Sequence, residues 1–142
     1  MSTVSGGIIN PGDVNGDWDD VTAPEALSGD TEYRGGYLTN THASLQLQSS
    51  VLWIDSLTAS PDTEFDIGLG GAVDATLATI ANESTAPASV TFTRPTSKGA
   101  GLSVGNVNAG STQGYWIRRT VGATAAAASD TGSIRWEGDT AP

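Results

Sequence analysis

Apolar and polar residues alternate with a period of two over short stretches along most of the chain. The alternation is clear at residues 32–38, 43–48, 65–69 and 90–93, and it is strongest at 114–121. A two-residue period is typical of strands that bury one face and expose the other. These five segments are therefore predicted to be strands.

An unbroken apolar run at residues 51–54 interrupts this pattern. A strand that is apolar throughout is typical of the centre of a sheet, where both faces are covered. Trp53 within this run is accordingly expected in the core. Further strand candidates are residues 75–80, which also fit a helix, and the segments 102–104 and 132–137.

Together these patterns predict eight or nine short strands joined by turn-rich segments. Regular strand spacing without long helical patterns favours an all-β fold, an antiparallel β-sandwich of jelly-roll or immunoglobulin-like type. Residues 13–142 are predicted to form one such domain, since this length is enough for a single core. Residues 1–12 are predicted to form an extended N-terminal arm.

Two segments depart from the strand pattern. Thr22, Pro24 and Glu25 have the spacing of a capping box at the start of one short helical turn, which Gly29 would end. Residues 122–130 are predicted to be a long hairpin loop or a brief helix. Neither segment changes the predicted fold class.

The charge is unevenly distributed along the chain. The protein has 142 residues and a net charge of −10. Residues 1–71 hold eleven acidic residues and one basic residue, whereas residues 72–142 hold five of each. Such a chain is a poor match for phosphate backbones, so nucleic acid is not an expected partner. The asymmetry would either orient the protein on a polarised partner or serve solubility alone.

Composition also bounds the chemistry. The absence of cysteine excludes disulfides and cysteine-ligated zinc. No apolar run approaches the roughly 18 residues of a membrane-spanning helix, and the N-terminal residues lack the basic and apolar stretches of a secretory signal. Neither a membrane nor a cofactor is therefore expected.

The acidic segment 13–20 is the closest approach to a metal site. Oxygen-bearing side chains at alternate positions are what a calcium loop needs. The match fails at its sixth position, where Trp18 replaces glycine, and at its twelfth, where Pro24 replaces an acid. Weak calcium binding and a solvated acidic turn both stay open. The candidate ligands are Asp13, Asn15, Asp17 and Asp19.

Three carboxylates alternate along one predicted strand, at Asp62, Glu64 and Asp66. Neighbours on one strand face lie about 7 Å apart, which is near the separation of an inverting glycosidase pair. A strand with its polar side outward has the same pattern without catalysis. His42, the single histidine, lies in a predicted turn. The protein is expected not to be an enzyme.

The tryptophans and arginines are the candidates for contacts. Trp18 lies in a polar loop and is the best candidate for an exposed contact, including a sugar-binding one. Trp116 and Trp136 alternate with arginines on strands, and arginine is enriched at subunit interfaces. Alternatively Arg118, Arg119 and Arg135 pair within the sheet, the candidate partners being Glu32, Glu137 and Asp139.

Several segments resemble small structural proteins encoded near the head genes of tailed bacteriophages. The resemblance covers about residues 20–140 and is carried by residues 29–34, 38–41, 53–55, 80–83, 86–87, 115–121 and 135–140. It implies a virion component and best fits a capsid decoration (cement) protein that binds and stabilises the outer surface of a phage head. It implies no catalytic residue.

The resemblance also implies partners and a location. The partners would be the major capsid protein and further copies of this chain, a trimer being one arrangement on a symmetric shell. The protein would be made in the host cytoplasm and end on the capsid surface. The alternatives are a tail or neck component and a carbohydrate-binding β-sandwich. The candidate interface residues are Ile8, Ile9, Trp18, Arg34, Trp116, Arg118, Arg119 and Arg135.

Overall fold

The computed structural model describes residues 22–140 apart from 61, 124 and 126–130. The predicted arm at residues 1–12 and the acidic segment 13–20 lie outside the described residues. So do Ile8, Ile9 and Trp18, and so do the candidate calcium ligands.

Six strands and one short helix form the described fold. Helix α1 begins at the predicted capping box, where the Thr22 N–H donates to the Glu25 carboxylate at 2.6 Å, and ends at Gly29. A single 3₁₀ turn covers Lys98–Ala100. The elements are α1 (Ala23–Ser28), β1 (Asp30–Thr39), β2 (Leu47–Ser56), β3 (Thr63–Leu69), β4 (Leu102–Val107), β5 (Thr112–Val121) and β6 (Ser133–Thr140).

The strands form two antiparallel three-stranded sheets that pack as a β-sandwich. The strand order is β1-β5-β3 in one sheet and β4-β2-β6 in the other. The predicted all-β antiparallel sandwich is therefore confirmed. The described strands number six, whereas a jelly roll has eight and the immunoglobulin fold at least seven.

Every connection between consecutive strands passes from one sheet to the other, because odd-numbered strands form one sheet and even-numbered strands the other. Of the two alternatives predicted for residues 122–130, the hairpin loop is therefore wrong, since β5 and β6 lie in different sheets. The brief helix falls mostly outside the described residues. Strands that follow one another in sequence do not pair, and the sandwich depends on long-range contacts.

The core lies between the sheets. Leu52 and Ile54 of β2 contact Phe65 and Ile67 of β3, and the most exposed of these four is 8% exposed. The central position predicted for residues 51–54 is confirmed, because β2 has a neighbour on each side. Partly buried residues surround this cluster: Leu38, Leu69, Leu102, Val104, Tyr115, Ile117, Ile134 and Trp136.

The predicted strand at residues 43–48 begins only at Leu47. The His42 ring holds the preceding residues in a turn, since its Nδ1 accepts the N–H groups of Ser44 (3.1 Å) and Leu45 (2.9 Å). The Asn40 side chain donates to the Leu45 carbonyl as well. These side-chain bonds take up backbone groups that a strand would need. The predicted turn histidine is confirmed.

A long irregular segment, residues 70–97, covers the outer face of the β1-β5-β3 sheet, and we call it the covering segment. The strand predicted at 75–80 is wrong, and of the strand predicted at 90–93 only a bridge between Thr93 and Ile67 forms. Its apolar side chains Leu77 and Val90 pack onto the outer face of the sheet, next to Gly114 and Gly68, rather than into the core between the sheets. Leu77 also donates its N–H to the Tyr37 hydroxyl at 2.8 Å.

The covering segment approaches the sheet closely because glycines face it. A side chain at Gly68 would place its Cβ 2.5 Å from Val90 and 2.7 Å from the Thr91 carbonyl oxygen. A Cβ at Gly114 would lie 2.7 Å from Leu77. The glycines at these two positions let the covering segment pack on the outer face of the sheet, while the inner face contacts the core.

We expect Gly68→Ala to lower the free energy of unfolding by about 1–3 kcal/mol, the usual cost of overpacking. The added methyl group meets backbone as well as side chain, so the covering segment must shift. Urea unfolding followed by tryptophan fluorescence measures the change. The matched control is Gly99→Ala, where a Cβ would meet nothing within 4 Å. Equal effects of the two substitutions would contradict this account of the packing.

Candidate functional site

The structure divides the described candidate interface residues between the two sheets. Arg34 lies on β1 opposite Ile117, and Trp116, Arg118 and Arg119 lie on β5. Arg135 lies on β6 in the other sheet. The β1 and β5 residues therefore share one sheet but lie on both of its faces, since Arg34 and Arg119 are on the core-facing side and Trp116 and Arg118 on the outer side. Arg135 lies apart from all of them.

Trp116 lies in the interior, with 1% of its surface exposed. In the sheet it is opposite Gly35 on β1 and Gly68 on β3, so the glycines on both sides leave room for its ring. Its burial argues against a surface role, because its side chain offers almost no area to a partner. An alternating strand pattern could not reveal this, since the cover comes from the distant covering segment.

Arg118 binds Asp66 across the β5–β3 pair. Its Nη2 lies 2.8 Å from the Asp66 carboxylate, and Arg94 of the covering segment binds the same carboxylate at 3.0 Å. The Arg118 guanidinium also stacks over the Phe92 ring, 5.2 Å from its centroid. Asp66 is 6% exposed. A carboxylate this buried needs paired charge, and two guanidinium groups supply it.

The position of Asp66 corrects the expectation that the carboxylates of β3 face solvent. It does lie on the outer face of the sheet, opposite Arg118, but the covering segment and two arginines enclose it. Glu64 also binds Arg94, at 2.7 Å. The two carboxylates of β3 whose spacing is near that of a glycosidase pair are thus both held by arginine.

Arg119 and Glu32 form a pair on the inner side of the same sheet. Arg119 is opposite both Glu32 and Phe65, and its Nε donates to Glu32 at 2.6 Å. The Glu32 side chain is 3% exposed and that of Arg119 13%. The predicted pairing of at least one of these arginines with a neighbouring acid is therefore confirmed.

Arg34 attaches the covering segment to the edge of the sheet. Its guanidinium lies 2.5 Å from the Glu83 carboxylate, and the neighbouring Tyr33 N–H donates to the Glu83 carbonyl at 2.7 Å. Side chain and backbone of Glu83 therefore bind adjacent residues of β1. The free edge of β1 is occupied at this point.

Arg135 is the most exposed of the four candidate arginines. Its side chain is 54% exposed, against 36% for Arg118. It pairs with Asp55 at 3.1 Å and lies over the Trp53 ring at 6.0 Å. Trp53 itself is 6% exposed, which confirms its predicted burial.

The remaining candidates for chemistry are weak. A shallow pocket of about 190 Å³ is lined by Leu57, Thr58, Ser60, Glu64 and Arg94, and its one guanidinium already binds two carboxylates. Three of the four tryptophans are buried or half-buried, so they do not form an exposed platform for sugars. Over the described ranges no cluster of three or more potential ligands is placed to hold a metal ion.

Asp74 fastens the covering segment to the start of β5. Its carboxylate accepts the Thr112 N–H at 2.8 Å, and its own N–H donates to the Thr112 carbonyl at 2.8 Å. The Thr112 backbone bond, with help from the Ser111 side chain, lowers the pKa of Asp74 below its usual 3.8. Asp74 also has φ +62°, a conformation that aspartate and asparagine tolerate better than most residues.

Sequence reasoning missed Glu83, Asp66 and Arg94 as the partners that organise this site. To predict these partners, one would need to know that β3 lies beside β5 and that residues 70–97 cross the sheet. Both depend on long-range contacts, which the local alternation of apolar and polar residues does not show.

None of the described helices is long and apolar enough to cross a bilayer. The chain matches no family model, no curated protein and no solved structure.

We expect Arg119→Ala to lower the free energy of unfolding by about 3–5 kcal/mol, because it takes the guanidinium from a carboxylate that stays buried. The control is Lys98→Ala, which breaks an exposed pair with Glu137 and should cost much less, because solvent screens exposed ion pairs. Chemical denaturation of both variants measures the difference. A loss for Arg119→Ala no larger than for Lys98→Ala would contradict the buried-pair account.

We expect acidification to remove the contribution of Asp74 to stability. A carboxyl group whose pKa is lower in the folded chain stabilises the fold above its usual pKa of 3.8, and this contribution disappears as the pH falls through the folded value. Asp74→Asn keeps an acceptor oxygen but does not titrate. Wild type should therefore be the more stable of the two at neutral pH and lose that advantage below 3.8.

Urea midpoints of wild type and Asp74→Asn across this pH range test the expectation. Asp62→Asn, on an exposed turn, is the matched control for the loss of one negative charge. An advantage of wild type over Asp74→Asn that does not change with pH would show that the titration of Asp74 does not contribute.

Proposed function

We propose that the chain is a non-enzymatic structural protein of a tailed-phage virion, and that it acts as a capsid decoration protein on the outer surface of the head. One observation carries the proposal. The segments that resemble phage structural proteins are far apart in sequence, yet their charged residues bind one another. Glu32 binds Arg119, and Arg34 binds Glu83.

These contacts support a structural role because they use the distinctive residues of the resemblance to build the body of the protein. Residues 29–34 supply the start of β1, residues 115–121 supply most of β5, and Glu83 belongs to the covering segment. The arginines of these segments bind acidic residues inside the fold and so help to make the protein rigid. A protein that functions by binding to other proteins needs such a rigid body.

The charge distribution supports a docking role. The net charge of −10 arises in the first half of the chain, and it favours a partner that presents a basic patch. Weak contacts of this kind become effective when copies joined in an oligomer bind neighbouring sites of a repeating shell, since each further contact is then intramolecular. The partners would be the major capsid protein and further copies of this chain.

Mass spectrometry and cryo-electron microscopy of particles from a phage whose genome encodes this chain test the proposal. We expect the chain in gradient-purified particles, with density for a β-sandwich on the outer shell. Density in the tail or neck would keep the virion role and remove the decoration role. Absence of the chain from purified particles would refute both.

Re-addition of the purified protein to particles that lack it then tests the surface. We expect Arg118→Ala to bind fewer copies per particle than wild type, because Arg118 keeps 36% of its side chain exposed. Lys98→Ala, which removes an exposed cation from the 3₁₀ turn, is the matched control. Both variants are checked for folding first. Unchanged binding of a folded Arg118→Ala protein would contradict the placement of Arg118 in the docking surface.

A further inference from the structure

The two sheets differ in how their edges are covered. In the β1-β5-β3 sheet, the covering segment binds both edge strands. Tyr33 of β1 donates its N–H to Glu83, and Ile67 of β3 exchanges two backbone hydrogen bonds with Thr93 at 2.8 and 2.9 Å. In the β4-β2-β6 sheet, neither edge strand has a further strand beside it among the described residues.

Of these two open edges, only β6 is regular. On β4, Gly105 has φ +85° and the register with β2 shifts by one residue between Gly105 and Ser103. Such a bulge bends an edge away from a new partner. In the β2–β6 pair the additional residues lie on β2, and no residue of β6 has a positive φ. The edge of β6 is eight residues long.

We infer that β6 is a pairing edge for a second copy of this chain, with the two β6 strands antiparallel about a two-fold axis at Trp136. The sequence of the strand is self-complementary in this register. Arg135 of each copy is opposite Glu137 of the other, which gives two cross-strand pairs of opposite charge. Both side chains are about half exposed, at 54% and 48%.

The inner side of the strand fits the same register. Trp136 is opposite its own copy, and aromatic pairs across strands are favourable. Ile134 is opposite Gly138 of the other copy, which has no side chain to obstruct it. The pairing continues the β4-β2-β6 sheet into a sheet of six strands, and it closes on two copies because the contact is isologous.

Neighbouring registers are less favourable. An axis at Glu137 would place two glutamates directly opposite each other. An axis at Arg135 would place two arginines directly opposite each other, and like charges in such positions are destabilising. An axis between Arg135 and Trp136 would place these two residues opposite each other. Arg135 lies on the outer face and Trp136 on the inner face, so the inner face of one copy would then join the outer face of the other. The pairing rests on the geometry of β6 and does not depend on the proposed virion role.

Charge reversal tests the pairing in the full chain. Sedimentation over a concentration series should show wild type shifting from 14.4 kDa towards twice that mass. Arg135→Glu places glutamates opposite glutamates, and Glu137→Arg places arginines opposite arginines, so each variant alone should stay monomeric. An equimolar mixture should dimerise again, because the two acidic side chains of one variant then lie opposite the two arginines of the other.

The mixture separates pairing between copies from effects within one copy. Each variant loses an ion pair in its own chain, to Asp55 or Lys98, and mixing does not restore that pair. Asp62→Arg is the matched control, with the same change of charge as Glu137→Arg on an exposed turn, and it should dimerise as wild type does. Circular dichroism confirms that each variant is folded.

Three outcomes would overturn the inference: a wild-type chain that stays monomeric throughout the series, charge reversals that leave the dimer intact, or a mixture that does not dimerise. The register has its own test, because the chain has no native cysteine. Arg135→Cys and Glu137→Cys proteins should form a mixed disulfide faster than Arg135→Cys forms one with itself. The reverse order would exclude the axis at Trp136.

Discussion

Burial of the β1-β5-β3 sheet on both faces is the constraint on which the rest of the structure depends. Its inner face contacts the core at Phe65 and Ile67, and its outer face lies under the covering segment. An antiparallel sheet usually exposes one face to water. Here every polar side chain on the sheet must either reach an edge or find a partner inside the fold.

The arginine–carboxylate pairs follow from this constraint. On the outer face, two arginines satisfy the charge of Asp66, which the covering segment would otherwise bury alone. On the inner face, Arg119 does the same for Glu32 between the two sheets. Such pairs are costly to break and add little when compared with well-packed apolar residues. We expect them to act on specificity instead, because Arg94 and Glu83 of the covering segment each find a partner of opposite charge at one place on the sheet. By the same reasoning we expect exposed pairs, such as Lys98 with Glu137, to contribute little to stability.

The sequence predicted the parts of the fold whose causes are local. The alternation at 65–69 and 114–121, the apolar run at 51–54 and the capping box of α1 each reflect residues close together in the chain. The strand predicted from residue 43 failed because the His42 ring binds the backbone just after it. The burial of Trp116 and Asp66 escaped prediction because residues 70–97 cover them, and no local pattern shows where an irregular segment lies.

The contrast between the sheets bears on how such a protein would meet its partners. The covering segment binds each edge strand of one sheet at one place, which disfavours further strands there, and among the described residues no strand lies beside the edges of the other sheet. Exposed edges are usually protected by charge, and β6 carries charged residues at alternate positions. The order of those charges matters as well as their number. A positive residue followed by negative ones repels a parallel copy in register but attracts an antiparallel one, so the same charges that prevent open-ended stacking admit a single closed pair.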